Sequence, residues 1–127
     1  MSLVEYLNTV KTFMNDNGMV RRMANYDWNE AKFDAPYWWQ RIPHGCVTRA
    51  MLEDAKDNLR RCAFVGIFEC FDHDAPRLLS RFGIEGPIPR ENASEGEFEP
   101  STQERAAIAA RHELDIELYE FARTLRP

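Results

Sequence analysis

No stretch of this sequence approaches the roughly 20 apolar residues that a membrane span requires, and no signal-peptide core opens it. Glycine is scarce, with 6 residues scattered through 127. None of the patterns GxxxxGK followed by Ser or Thr, GxGxxG or GxSxG occurs, so the chain has no recognisable phosphate-cradling loop of its own. Basic residues are outnumbered, 16 Lys and Arg against 21 Asp and Glu, for a net charge of −5. A surface of that sign argues against unassisted binding to nucleic acid or to anionic membranes. The 3 cysteines are an odd number without framework spacing, which points to a reducing compartment. There is no internal repeat and no low-complexity tract. These absences describe a soluble, cytoplasmic protein.

What is present fits one domain over residues 1–127, large enough to bury a core but too short for a full doubly wound sheet. The stretch Arg61 to Gly83 reads as its organising element. Cys62 to Phe68 is an apolar run interrupted only by Gly66 and rich in β-formers, which predicts a strand buried on both faces. Asp72 or Asp74 then offers an N-cap, Pro76 falls in the first turn, and Leu78, Leu79 and Phe82 give the helix an apolar side before Gly83 stops it. Glycine in mid-strand implies a close neighbour at Gly66. No second run of comparable strength exists. The fold class is therefore mainly α with one central buried strand.

Either side of that element the signals are helical. Ser2-Leu3-Val4-Glu5 fits a capping box, and Leu3, Leu7, Val10 and Met14 follow at helical spacing up to the turn Asn15-Asp16-Asn17-Gly18. Thr48 caps a helix through Met51, Leu52, Ala55 and Leu59. Residues 84–100 read as a mobile acidic loop carrying Glu91, Glu95, Glu97 and Glu99. Ser101-Thr102-Gln103-Glu104 opens a last helix with Ala107, Ala110, Leu114, Leu118, Phe121 and Leu125 on one stripe.

Few residues suggest chemistry. Arg21 and Arg22 can clamp a phosphate or sulfate with their planar donor forks, or form a solvated basic turn beside nearby acids. Trp28, Phe33, Tyr37, Trp38 and Trp39 crowd one stretch in which Pro36 and Pro43 break regular structure. They offer either a recognition surface or a plug folded back over the core. His44, Cys46, Cys70 and His73 are zinc-type ligands, but without the knuckle spacing of a zinc site. No catalytic or metal residue is assigned.

Several of these segments share a likeness. Phe64-Val65-Gly66-Ile67 with Glu69, Phe71 and Asp72 resembles the strand-to-helix segment of sulfotransferases related to the heparan sulfate 2-O-sulfotransferases. Ser2 to Leu7, the turn Asp16-Asn17-Gly18 with Arg21 and Ala24, Asn92-Ala93-Ser94, and Leu114 to Ala122 are similar to other segments of that family. The resemblance covers nearly the whole chain, as the C-terminal half of a P-loop-like sulfotransferase fold. It implies sulfuryl transfer from 3′-phosphoadenosine 5′-phosphosulfate to a hydroxyl. Arg90, Asn92 and Ser94 would lie near the nucleotide.

The family's phosphosulfate loop and catalytic base belong to the other half of that fold. The resemblance thus implies no cofactor bound by the isolated chain, and the phosphosulfate donor bound only where a partner supplies the missing half. Two readings follow. One is a truncated, sulfotransferase-like protein that is inactive alone. The other is a non-enzymatic, α-rich partner-binding module with Arg21, Arg22, Trp28, Trp38 and Trp39 at its surface. Both expect a homo-oligomer or a heteromeric partner pairing with the strand 62–68, unless a local strand around Val20 to Met23 fills that place.

Overall fold

The computed structural model of the chain describes residues 1–24, 42–89 and 99–126. They form six α-helices, α1 (Leu3–Thr9), α2 (Gly18–Met23), α3 (Arg49–Arg61), α4 (Phe71–Arg81), α5 (Thr102–Arg111) and α6 (Glu113–Thr124). Short 3-10 turns lie at Phe13–Asn15 and Phe68–Cys70. The protein is mainly helical, and no β-strand occurs among the described residues. No helix among them is long and apolar enough to cross a membrane.

Helix starts with a local cap fall where their sequences place them. At α1 the Ser2 hydroxyl accepts from the Glu5 amide at 3.2 Å, and the Ser2 amide donates back to Glu5 at 2.7 Å. Ser101 and Glu104 repeat that exchange at α5, while Thr48 takes the Met51 amide at 3.3 Å to open α3. The core is the junction of α2, α3 and α6. Val20, Leu52, Ala55, Leu59, Leu118 and Ala122 are buried there, and each fully buried Val or Leu contributes about 1.5–3 kcal/mol. Lys56 of α3 laces this junction from outside, reaching Glu117 of α6 at 2.8 Å while Arg49 reaches the same carboxylate at 2.9 Å. The Lys56 hydrogen bond, with that of Arg49, holds the Glu117 carboxyl below its ordinary range. Beside the core, α1 packs against α5, joined by Arg111 donating to Asn8 at 3.0 Å.

The C-terminal stripe, continuous in sequence, is two helices. In an unbroken helix the amides of Leu114 and Asp115 would bond carbonyls one turn earlier. Instead both donate to Asn17 Oδ1, at 2.9 and 3.1 Å. The side chain of Asn17 therefore splits the stripe at His112 and caps α6. The exchange is mutual, because Asp115 caps α2: its two oxygens accept from Met19 and Val20 at 3.1 and 2.9 Å. Each helix start supplies the acceptor that the other needs.

Two expectations are corrected. Residues 62–67 are not a buried strand but an extended linker between α3 and the 3-10 turn, without a ladder among the described residues. Cys62, Ala63, Gly66 and Phe68 are exposed, so unpaired backbone here meets water and carries no burial cost. Other groups of the linker find side chains: Arg81 donates to the Ala63 carbonyl at 2.6 Å, and the Ile67 amide donates to Asp74 at 3.3 Å. Val20 to Met23 supplies no local strand either, since it lies within α2.

Candidate functional site

Of the residues singled out in the sequence, Arg21 and Arg22 are described, and they play separate parts. Arg21 is fully buried, with its Nε on the Asp16 carbonyl at 2.8 Å, Nη2 on the Asp16 carboxylate and the Pro43 carbonyl, and Nη1 on the Ile42 carbonyl. Arg22 points out of the fold and touches Met14 Sδ at 3.3 Å. The two guanidiniums therefore do not form a shared clamp. Burial pushes the Asp16 carboxyl up, but hydrogen bonds from Arg21 and the Gly45 amide outweigh it and leave it below its ordinary value. Trp28, Trp38 and Trp39 lie outside the described residues, as do Arg90, Asn92 and Ser94. The three thiols are unpaired, and no group of three or more His, Cys, Asp or Glu among the described residues could hold a metal ion.

A different feature stands out at α4. The helix starts at Phe71, so neither Asp72 nor Asp74 is its N-cap, and Pro76 lies in its second turn. Its end follows the expected chemistry: Gly83 adopts φ +67°, its amide bonds the Ser80 carbonyl, and the Ile84 amide bonds that of Leu79. Those are the paired bonds of a glycine-terminated helix.

Its orientation is what the sequence did not foretell. Asp74, 2% exposed, is turned toward the body of the protein. It accepts from Arg126 Nε at 2.9 Å and Nη2 at 2.8 Å, and His73 Nδ1 lies 2.9 Å away. Glu69, just before α4, accepts from the Tyr119 hydroxyl. That bond lowers the Glu69 carboxyl and raises the Tyr119 phenol from their ordinary values.

The apolar side faces outward. Phe71, Ala75, Leu78 and Phe82 follow at i, i+4, i+7 and i+11, one stripe of a helix. Phe71 is 41%, Leu78 36% and Phe82 73% exposed, flanked by Phe68 at 85% and Ile84 at 53%. A helix normally buries its apolar stripe; here polar contacts attach α4, and among the described residues the stripe stays exposed. Contiguous apolar patches of several hundred Å² on a soluble protein mark interaction sites. The spacing was visible in the sequence, but the face it would present was not.

The Asp74–Arg126 contact makes this attachment pH-dependent. The Arg126 guanidinium, helped by His73, holds the Asp74 carboxyl far below the ordinary 3.8. A carboxyl so lowered stabilises the fold fully above its unfolded value and loses that contribution as pH falls toward the folded one. The stability difference between wild type and Asp74→Asn is expected to be widest at neutral pH and to close below about pH 4. Urea midpoints of both proteins across that range measure it; a difference independent of pH would contradict the charged latch.

No family model matches the chain, and no significant match arises among curated proteins or solved structures.

Proposed function

We propose that this chain is a non-enzymatic helical interaction module that works as a homodimer, with α4 of one copy laid against α4 of the other. The observation that carries this reading is the inverted helix: polar contacts inward, Phe71, Leu78 and Phe82 outward, Phe68 and Ile84 at its ends. A second copy fits because a surface of this kind is self-complementary when two such helices cross about a two-fold axis. The area is sufficient. At about 200 Å² per aromatic side chain and somewhat less per Leu or Ile, the exposed fractions amount to roughly 500 Å² of apolar surface per chain. Two copies that bury all of it cover about 1,000 Å², enough for a weak, transient dimer.

Light scattering across about 1–100 µM, the range of weak to moderate dimers, tests this reading. Wild type is expected to be dimeric at the upper end and Leu78→Asp monomeric, with unchanged helical circular dichroism. A wild type that stays monomeric, or a dimer indifferent to Leu78→Asp, would overturn it. Calorimetry with adenosine 3′,5′-bisphosphate separates the module from the sulfotransferase that the resemblance implies. The module is expected to bind it no better than about millimolar, whereas micromolar binding would return the transferase reading.

A further inference from the structure

Between the C-terminal end of α3 and the linker lies a cleft of about 240 Å³. Leu59, Val65 and Leu125 give it apolar walls, and Arg60, Arg81, Phe64 and the free thiol of Cys62 are also in its lining. The two arginines are held in a way that leaves most of their donors open. Arg60 lies over the Phe121 ring, 4.7 Å from its centroid, and hydrogen-bonds only Asp57 among the described residues. Arg81 lies over the Phe64 ring at 5.5 Å and donates to the Ala63 carbonyl at 2.6 Å. Ring stacking fixes a guanidinium without consuming its N–H groups, of which each has five. Asp57, the acid beside Arg60, is already engaged by it.

Gly66 sets the position of the Phe64 ring. A Cβ at Gly66 would stand 3.2 Å from Phe64 Cε1 and 3.4 Å from Asp74 Cβ, so a side chain there would push against both the cleft wall and the buried carboxylate. This is the close neighbour that the sequence implied, reached without a strand.

We infer that this cleft binds a small aliphatic monocarboxylate, its tail between Leu59, Val65 and Leu125 and its carboxylate between Arg60 and Arg81. Charge and shape both favour that class. Planar guanidiniums bind carboxylates through paired hydrogen bonds, and the walls below them are apolar. Size sets the length of the tail. A cleft of about 240 Å³ suits a short aliphatic tail, for which hexanoate is the probe. It falls below the roughly 300–1,000 Å³ typical of drug-sized sites.

The test is an amide chemical-shift titration of the full chain with sodium hexanoate, hexanamide and sodium sulfate at constant ionic strength. Hexanoate is expected to saturate, with shifts centred on residues 59–65, 81 and 125. It should bind at least about tenfold more tightly than hexanamide, which lacks the charge, or sulfate, which lacks the tail. Arg60→Gln, at a half-exposed site on α3, should weaken hexanoate by about tenfold with the remaining spectrum unchanged; Arg81→Gln should do the same or more. Equal binding of hexanamide would reduce the cleft to an apolar dimple, and equal binding of sulfate would reduce it to a cationic surface. Either result overturns the proposal, as does the absence of saturable shifts or an Arg60→Gln variant that binds hexanoate like wild type.

Discussion

Replacing Arg21 by methionine is expected to lower the unfolding free energy by about 3–5 kcal/mol, the typical result of removing one partner from a buried ion pair. Arg21 has no exposed surface and Asp16 only 6%. With the guanidinium gone, the Asp16 carboxylate keeps the Gly45 amide at 2.7 Å but loses its counter-charge. The carbonyls of Ile42 and Pro43 lose the donors that Arg21 supplies. Against a total stability of about 5–15 kcal/mol for a domain of this size, that loss brings the chain near unfolding. Asp16→Asn combined with Arg21→Met should cost less than the sum of the single changes, since no unpaired charge is then left inside. Urea denaturation followed by circular dichroism measures all three. A loss below about 1 kcal/mol for Arg21→Met, the level of an exposed pair, would mean that water reaches this site.

The second large effect is expected at Asp115. Alanine there removes both acceptors at the start of α2 and leaves the Val20 amide buried without a partner. Loss of a cap costs about 0.5–2 kcal/mol and an orphaned buried donor about 1–3, so Asp115→Ala should lose about 2–4 kcal/mol. Asp115→Asn keeps one acceptor and should lose roughly half as much. Asn17→Ala opens the reciprocal position and is expected to fray the start of α6, through the amides of Leu114 and Asp115. Thermal or urea unfolding of the set gives the comparison. An Asp115→Ala variant as stable as wild type would show that solvent replaces the cap without loss.

These two sites also show which parts of the fold could be read in advance. Ser2 with Glu5, Thr48, and Ser101 with Glu104 cap their helices through bonds that span three residues, and bonds that short are legible in sequence. The break at His112 is not: apolar spacing runs smoothly from Ala107 to Leu125, and what divides it is an asparagine 97 positions away from Leu114. The linker departs from its strand propensity for a related reason. Phe64, Val65 and Ile67 have strand propensity, but propensity of this type reports fit to a pleated, half-buried surface, and among the described residues no second strand supplies that surface. At α4 the apolar periodicity was plain, yet its direction is decided by Asp74 meeting Arg126, 52 positions apart. The cleft joins Arg60, Phe64 and Arg81 with Leu125, a grouping that only the folded chain creates.

The mutual caps of α2 and α6 have a kinetic side. Val20 and Asp115 are separated by 95 positions, so neither helix start can be completed until the chain has closed a long loop. Such closure is entropically costly and slows folding relative to proteins built from local contacts. Until that moment α2, only 6 residues long, is far too short to persist alone. α2 and the first turn of α6 therefore belong to one cooperative unit, and their amides open to hydrogen exchange together.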